Sequence, residues 1–437
     1  MSRGNRTIRK SIHFLTGLAL FALTYYFDNI TLLFVIIAGS LFAFISYGYR
    51  KFRLLHKTSD QSLGTLFYPL GILGAFILLY NMPVHYFRAA LLVLTVSDTF
   101  ASICGHIRTG NIYFNPLKEE KSLYGVIGFA VSTSVIFSIQ LPDASIPEFL
   151  FLATMLAVVF EIFSWRGSDN LSIPVGSALF FIVMERHESN LVFFSILIVI
   201  AAIGALLLNR MRILDKHASA LVFFMAVYFL GVLGLSWAML IISFFVTSVL
   251  FTYIRAKRSP KSSASYGRNT WQVLANSFWA ILFSVAWLIT GQSLLIFLYI
   301  SVVAAVTADT WASEIGPIFH RRCFSLYHRK MKVSGVNGGL SIAGSFAALT
   351  GSFFIVWLSY SLFELNFDPQ MLIILTAAGF LASMADSFLG AFAERRMEQR
   401  LDTRNFKTKL SANDIVNALG SFAAPLFLVL WEIVFGI

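Results

Sequence analysis

Carboxylic acids inside apolar segments are the residues of this sequence best suited to chemistry. Asp98, Asp309 and Asp386 each lie near one end of a long apolar run, and Glu314 follows Asp309 by five positions. An ionised carboxylate near hydrocarbon is costly, so these side chains should face the protein interior or a wet cavity. Carboxylates beside Ser, Thr and Asn are hard oxygen ligands of the kind that Mg²⁺ accepts together with substrate phosphates. We predict all four acids as catalytic and the three aspartates as magnesium ligands; the alternative is that they only hold helices together.

Two of these acids lie in the same short motif. SDTFAS at 97–102 and ADTWAS at 308–313 share Asp-Thr-aromatic-Ala-Ser, and Gly105 and Gly316 follow at the same distance. Every matched residue is offset by 211 positions. Small residues allow a backbone or a ligand to approach closely, so Ser102 and Gly105 are predicted to contact the cofactor. The repeat predicts two weakly related catalytic halves.

The segments that follow these motifs supply positive charge and glycine. Lys121 lies in EEKSLYG after the first motif, and SGVNGGLS at 334–341 follows the second. Exposed N–H groups at a glycine-rich helix start can cradle phosphate, and the basic residues at 321–332 would neutralise it. The alternative is a short glycine turn with ordinary loop charge. Lys121 is predicted to be catalytic, and the predicted phosphate contacts are Ser122, Asn337, Gly338 and Gly339.

Two further polar clusters stand at predicted helix starts. SDNLSIP at 168–174 follows Glu161 closely, and SANDIVNALG at 411–420 carries two asparagines four positions apart, which therefore share a helix face. A helix N-cap would explain one such residue but not the set. From these clusters we predict Asp169 as catalytic, Asp414 as a metal ligand, and Asn170, Asn413 and Asn417 as cofactor contacts.

Long apolar runs must position these residues. The 437-residue chain is 57% hydrophobic and only 13% charged, and runs long enough to cross a bilayer recur along its whole length. Backbone groups in lipid must be satisfied within the segment, so such runs are helices. We predict an all-α polytopic membrane protein with about 15 spans. The predicted spans are 11–27, 31–47, 64–80, 87–104, 123–140, 147–163, 173–185, 190–208, 218–234, 237–254, 276–291, 293–311, 336–360, 371–392 and 416–436.

The distribution of Lys and Arg predicts the orientation. With a cytoplasmic N-terminus, 31 of the 33 basic residues fall in alternate, inner loops, and only Arg88 and Arg186 fall outside these loops. The motifs above then lie on the cytoplasmic side of a bacterial inner membrane. Loop charge that sets this topology accounts for the net charge of +11, so no nucleic-acid partner is predicted.

The first half, 1–186, resembles the phytol kinase and dolichol kinase family, whose members are related to phosphatidate cytidylyltransferases. The family usually carries more basic residues where this chain has GHIRTGNIYF at 105–114. The resemblance implies phosphorylation of a prenyl alcohol such as phytol by CTP or another nucleoside triphosphate. The pieces that match, in order, are RKSIHFLTG at 9–17, LGTLFYP at 63–69, SDTFASICG at 97–105, EEKSLYG at 119–125, Glu161 and DNLSIP at 169–174.

The second half, 187–437, resembles the uncharacterised integral membrane family that includes the plant phytyl-phosphate kinase. This resemblance implies phosphorylation of a prenyl monophosphate to the diphosphate. The matching pieces, in order, are GRNTWQVLANS at 267–277, TADTWASEIG at 307–316, SGVNGGLSIAG at 334–344, MADSFLGA at 384–391 and NDIVNALG at 413–420.

These resemblances predict a bifunctional isoprenoid lipid kinase that uses Mg²⁺ and a nucleoside triphosphate such as CTP. Two alternatives remain open. A lipid-phosphate cytidylyltransferase would share the motifs of the first half, and a transporter or flippase would also carry intramembrane acids in a two-part fold. The polar residues cluster at one membrane face rather than at the midplane, which favours an enzyme over a transporter.

Overall fold

Apolar helices make up most of this protein. The computed structural model describes residues 3–48, 64–107, 109–114, 121–141, 147–162, 167–186, 190–258, 267–319, 322–327, 329–333, 338–363, 368–394 and 411–435. Within these ranges the chain is helical apart from five short strands and the connecting turns, so the predicted all-α class is confirmed. The chain divides into two compact units, Met1–Ser195 and Ile196–Ile437, called the first and second unit below.

Each of the fifteen predicted spans coincides with a helix. In the described parts of the chain, ten helices are long and apolar enough to cross a membrane. Of the other five, α3 and α6 are shorter, α1 and α7 carry more charged residues, and α8 is a 20-residue apolar helix whose one charged residue is Arg210. The prediction of a polytopic membrane protein is therefore confirmed.

The first unit contains seven helices, and an eighth follows them along the chain. Helix α7 is its core, since most of its residues are buried and it packs against α3, α4 and α6. A π-helical turn at Val93–Ser97 interrupts α4 directly before Asp98; such turns are frequent at functional sites. An antiparallel pair of two-residue strands, β1 (Tyr113–Phe114) and β2 (Lys121–Ser122), joins α4 to α5. The helices are α1 Arg3–Leu23, α2 Asn29–Gly48, α3 Gly64–Leu78, α4 Val84–Gly105, α5 Leu123–Gln140, α6 Pro147–Ile162, α7 Asp169–Arg186 and α8 Leu191–Arg210.

The second unit also contains seven helices, and α12 is its core. This helix is rich in Ala and Val, is largely buried, and packs against α10, α11, α13, α14 and α15. A three-stranded sheet of order β4-β3-β5 connects α12 to α13. A π-helical turn at Gly390–Glu394 ends α14. The elements are α9 Lys216–Leu233, α10 Leu235–Arg258, α11 Thr270–Thr290, α12 Leu294–Phe319, β3 Arg322–Ser325, β4 Lys330–Val333, β5 Gly339–Leu340, α13 Ile342–Leu362, α14 Pro369–Leu389 and α15 Ala412–Phe435.

Side-chain caps explain several helix starts in the second unit. Asn269 and Gln272 form a reciprocal capping box at α11. Asp215 caps α9, and Asp368 caps α14 with Pro369 at the first helical position. These caps satisfy N–H groups that have no partner inside the helix.

The repeated motif forms the same helix crossing in both units. In the first unit, Ser122 Oγ accepts a 3.1 Å hydrogen bond from the N–H of Gly125, and a Cβ added at Gly125 would lie 2.9 Å from the Ala101 carbonyl oxygen and 3.5 Å from the Gly105 Cα. Glycine is needed there because α4 and α5 approach so closely.

In the second unit, Ser341 Oγ accepts a 3.1 Å hydrogen bond from the N–H of Gly344. A Cβ added at Gly344 would lie 3.3 Å from the Ala312 carbonyl oxygen and 3.7 Å from the Gly316 Cα. The echo between the two motifs therefore extends to a Ser-x-x-Gly cap on the next helix, and each unit contains strands between the two crossing helices.

Candidate functional site

A cavity of about 950 Å³ lies inside the second unit. Helices α10 to α15 contribute to its wall, together with β5 and the segment before α11. Its volume is in the range of small-molecule sites. The structure thus brings together residues that are more than 100 positions apart. The predicted site residues that line it are Asp309, Glu314, Gly338, Gly339, Asp386, Asn413 and Asn417.

Asp309 of α12 and Asp386 of α14 form an acidic pair in this cavity. Their carboxyl groups contact each other directly and both are half-buried. Gly420 of α15 packs behind Asp386, since a Cβ there would lie 2.7 Å from the Asp386 Cβ. Two carboxylates in contact repel each other unless a proton or a cation lies between them. The amides of Asn413 and Asn417 line the same cavity and add oxygen donors, so the residues present there fit Mg²⁺.

Arg255 and Arg268 form a basic group in the same cavity, and Glu314 anchors it. Arg255 Nη1 lies 3.5 Å from Glu314 Oε2, and Thr252 donates a 3.1 Å hydrogen bond to Glu314 Oε1. Arg268 donates a 2.5 Å hydrogen bond to Ser248 Oγ. Burial lowers the pKa of the Arg268 guanidinium, and the nearby charge of Glu314 opposes this shift. An arginine remains protonated even so, and its poorly solvated charge favours an anionic ligand.

Neither of these two arginines was predicted from the sequence as a site residue. We expected phosphate to be neutralised by the basic residues at 321–332, but among the described residues of that segment only Cys323 lines the cavity. A signal was present in the sequence, because Arg268, Gln272 and Asn276 are spaced four positions apart. All three line the cavity, the last two from one face of α11.

The glycine segment does not open the next helix, which corrects our prediction. Gly338 adopts a left-handed φ of +66° in a turn, and Gly339 lies in β5. Helix α13 begins only at Ile342, because Ser341 provides the side-chain cap. Both glycines nevertheless line the cavity. Asn337 lies outside the described residues.

Asp414, which we predicted as a metal ligand, makes its hydrogen bonds at the start of α15. It is only 1% exposed, and its Oδ2 accepts a 2.8 Å hydrogen bond from the N–H of Ser411, whose Oγ accepts one from the N–H of Asp414. It is not among the described residues that line the cavity, whereas Asn413 and Asn417 of the same helix are. The observed contacts of Asp414 are those of a helix cap.

A second acidic cluster lies in the first unit. Asp98 of α4, Glu161 of α6 and Asp169 of α7 each place one oxygen within 4.8 Å of the others. Lys121 Nζ lies 2.7 Å from Glu161 Oε1, and Lys10 Nζ lies 3.3 Å from both oxygens of Asp98. Two ammonium groups therefore face three carboxylates here. The cavity of the second unit differs in its basic residues: its described lining contains two arginines and no lysine, and these arginines contact Glu314 and Ser248.

The remaining predicted site residues of the first unit lie in a helix cap, at a helix crossing and in a hydrogen bond between helices. Ser122 caps α5, and Gly105 packs beside it at the helix crossing. Asn170 is buried and donates a 3.1 Å hydrogen bond to the carbonyl of Gly64, which joins α7 to α3. Ser102 lies half-buried one turn after Asp98.

The fold and the site define a polytopic α-helical membrane protein with a charged internal cavity. Residues 198–424 match the integral membrane protein family DUF92, and the chain belongs to this family. An uncharacterised membrane protein of Methanocaldococcus jannaschii is 32% identical over 208 residues, which make up 47% of this chain and 84% of that protein. No solved structure gives a significant match. The family match contains every residue that lines the cavity, whereas the first unit lies outside it, so the kinase resemblance of 1–186 stays a prediction.

Proposed function

We propose that this protein is a Mg²⁺-dependent isoprenoid lipid kinase with two consecutive activities. The second unit would convert a prenyl monophosphate to the diphosphate, and the first unit would phosphorylate the prenyl alcohol. The proposal rests mainly on the cavity of the second unit, where an acidic pair and two arginines line the same space. Phosphoryl transfer needs positioning and charge neutralisation more than covalent help from the protein, and this cavity offers both.

The acidic pair is suited to the metal end of the reaction. Asp309 and Asp386 would hold Mg²⁺, with Asn413 and Asn417 as further oxygen donors. Bound Mg²⁺ neutralises phosphate charge and orients the transferring group. Arg255 and Arg268, which line the same cavity, would hold the lipid phosphate, because guanidinium groups bind phosphate in a fixed fork geometry.

The acceptor of the second step places little demand on a base. A phosphate monoester has its second pKa near 6, so its oxygen is already largely ionised at neutral pH. Among the described residues that line the cavity there is no histidine, which fits an acceptor of this kind. The alcohol acceptor of the first step is different. There a carboxylate such as Asp169 would orient the hydroxyl, and Lys121 would neutralise the phosphate.

We place both sites on the cytoplasmic side of a cell membrane, where nucleoside triphosphates are available. The basic loops support this orientation. CTP is the donor implied by the resemblance of the first half, and the amides of Gln272 and Asn276 would be available to a nucleotide in the cavity of the second unit.

A direct assay tests the proposal. Purified protein in detergent would be given Mg²⁺, γ-labelled CTP or another nucleoside triphosphate, and either a prenol or a prenyl monophosphate. Asp309→Asn should reduce diphosphate formation at least 100-fold and leave the alcohol step intact, whereas Asp98→Asn should do the reverse. Asp368→Asn is the matched control, because Asn caps a helix as well as Asp does. Absence of lipid labelling by folded wild-type protein with every nucleotide would refute the kinase.

The same assay separates the cytidylyltransferase alternative. Transfer of α-label into a CDP-lipid, with release of pyrophosphate, would identify nucleotidyl transfer. Transfer of γ-label into the lipid identifies a kinase.

A further inference from the structure

An apolar groove opens into the charged cavity of the second unit. The groove has a volume of about 500 Å³ and lies along the start of α13, with Phe380 contributed by α14. Leu340, Ser341 and Ser345 line both spaces, so the groove is continuous with the cavity. The residues that line only the groove are Ile342, Phe346, Leu349 and Phe380.

The groove has a polar end and an apolar end. Ser341 and Ser345, one turn apart, stand where it meets the cavity. Ile342, Phe346 and Leu349 follow each other at helical spacing along one face of α13 and are 83%, 67% and 43% exposed. This helix is long and apolar enough to cross a membrane, and an exposed apolar face is what we expect where a helix borders hydrocarbon.

We propose that this groove binds the head-proximal part of the hydrocarbon chain of the lipid substrate, while the anionic headgroup lies in the cavity. This inference rests on the proposed function and adds the route by which the substrate enters. The occupant of the two spaces would be an amphiphile with an anionic head and an apolar chain. The arginines of the cavity suit the head, and the aromatic and aliphatic wall of the groove suits the chain.

The length of the groove determines how much of a lipid chain it can enclose and therefore which chain lengths it can distinguish. Seven residues separate Ile342 from Leu349, which corresponds to about 10 Å along the helix axis. Only the first part of a prenyl chain is therefore enclosed, and the rest extends into the bilayer. Each CH₂ buried in the groove should lower KM about fourfold. Chains longer than the groove should differ little in KM, whereas a five-carbon phosphate should bind much more weakly.

Photo-crosslinking locates the chain independently of catalysis. A 20-carbon prenyl monophosphate with a diazirine on the head-proximal carbons would be irradiated with the full-length protein in nanodiscs, and labelled peptides would be identified by mass spectrometry. We expect label on Ile342, Phe346, Leu349 or Phe380, reduced by excess unlabelled prenyl monophosphate.

Variants at the junction provide the second measurement. Ser345→Trp should close the passage, reduce labelling at least tenfold and raise KM for the 20-carbon phosphate at least tenfold. Ser361→Trp makes the same change at an exposed position at the far end of α13 and should change neither. Leu349→Ala adds no bulk and should raise KM two- to fivefold, which keeps the test valid if the tryptophan variant does not fold.

The outcomes distinguish this inference from the function on which it rests. Competed label elsewhere in the second unit would overturn the groove and leave the kinase standing. Label in the groove that bulk phospholipid removes but prenyl monophosphate does not would identify ordinary boundary lipid and would also overturn it. No competed label anywhere in the chain would overturn both the groove and the proposed lipid substrate.

Discussion

Replacement of Lys121 by methionine tests the charge balance of the acidic cluster in the first unit. Lys121 and Glu161 form an ion pair of 2.7 Å, with side chains only 12% and 8% exposed. Methionine keeps much of the apolar stem but removes the ammonium group. Glu161 would then lose its nearest positive charge while Asp98 and Asp169 stay within 4.8 Å of it.

The expected loss of stability follows from this geometry. At an effective dielectric of 20, the attraction between unit charges 2.7 Å apart is about 6 kcal/mol, part of which offsets the desolvation of both groups. Removal of one partner from a buried pair costs about 3–5 kcal/mol. For a unit of this size such a loss lowers the midpoint of thermal unfolding by roughly 6–20 °C.

The two cysteines allow unfolding of each unit to be followed separately. Cys104 lies in α4 of the first unit and Cys323 in β3 of the second. Cys104 is half-buried and Cys323 is buried, so unfolding of the unit that carries each cysteine should accelerate its reaction with a thiol-reactive dye. Cys323→Ser leaves Cys104 as the reporter of the first unit, and Cys104→Ser leaves Cys323 as the reporter of the second. Lys121→Met should lower the temperature at which Cys104 reacts and leave that of Cys323 nearly unchanged.

Two matched variants test whether the Lys121–Glu161 pair causes this loss of stability. Lys10→Met removes the other lysine of the cluster, but that pair is longer and more exposed, so the cost should be about 1 kcal/mol or less. Lys121→Met combined with Glu161→Gln should recover most of the stability, because neutral replacements leave no unpaired charge. Equal effects of the two lysine variants, or no recovery in the double variant, would show that the Lys121–Glu161 pair is not the stabilising contact.

Three further substitutions test the second unit. Gly420→Ala should cost about 1–3 kcal/mol of stability and reduce diphosphate formation, because the new Cβ would lie 2.7 Å from the Cβ of Asp386. Unchanged thermal unfolding and unchanged activity would contradict this close approach. Gly338→Ala should cost more than the ~1–2 kcal/mol that its φ of +66° implies, because the new Cβ would also lie 2.8 Å from the Ser387 carbonyl oxygen and against Ala391. Gly204→Ala, which meets open space in α8, should be neutral or stabilising in the same unfolding assay, and equal effects of the two variants would contradict the strained and closely packed turn at Gly338. Arg268→Lys should raise KM for the lipid phosphate about tenfold through loss of the guanidinium fork, and an unchanged KM in steady-state kinetics would remove Arg268 from the phosphate site.

Local sequence signals located the helices and several residues that line the cavity of the second unit. The fifteen apolar runs all became helices, because the length and hydropathy of a span are properties of one segment. The two Asp-Thr-aromatic-Ala-Ser motifs predicted two related halves, and the structure places both motifs at equivalent helix crossings, because close packing of this kind requires small residues at fixed spacing. The glycine segment before α13 was read wrongly, since a turn followed by strand pairing and a helix start both favour glycine and polar residues.

Only the tertiary structure decided which side chains come together in one site. Asp309 and Asp386 were each recognisable as unusual acids, but their mutual contact depends on how α12 packs on α14. Arg255 was indistinguishable from other loop charge until Glu314 was seen to hold it in the cavity. Asp414 and Asn413 are adjacent in sequence, yet only Asn413 lines the cavity, because neighbouring residues on a helix point in different directions. Hydropathy and spacing act along the chain and so determine which segments cross the membrane, whereas a site depends on distances between segments, which only packing sets.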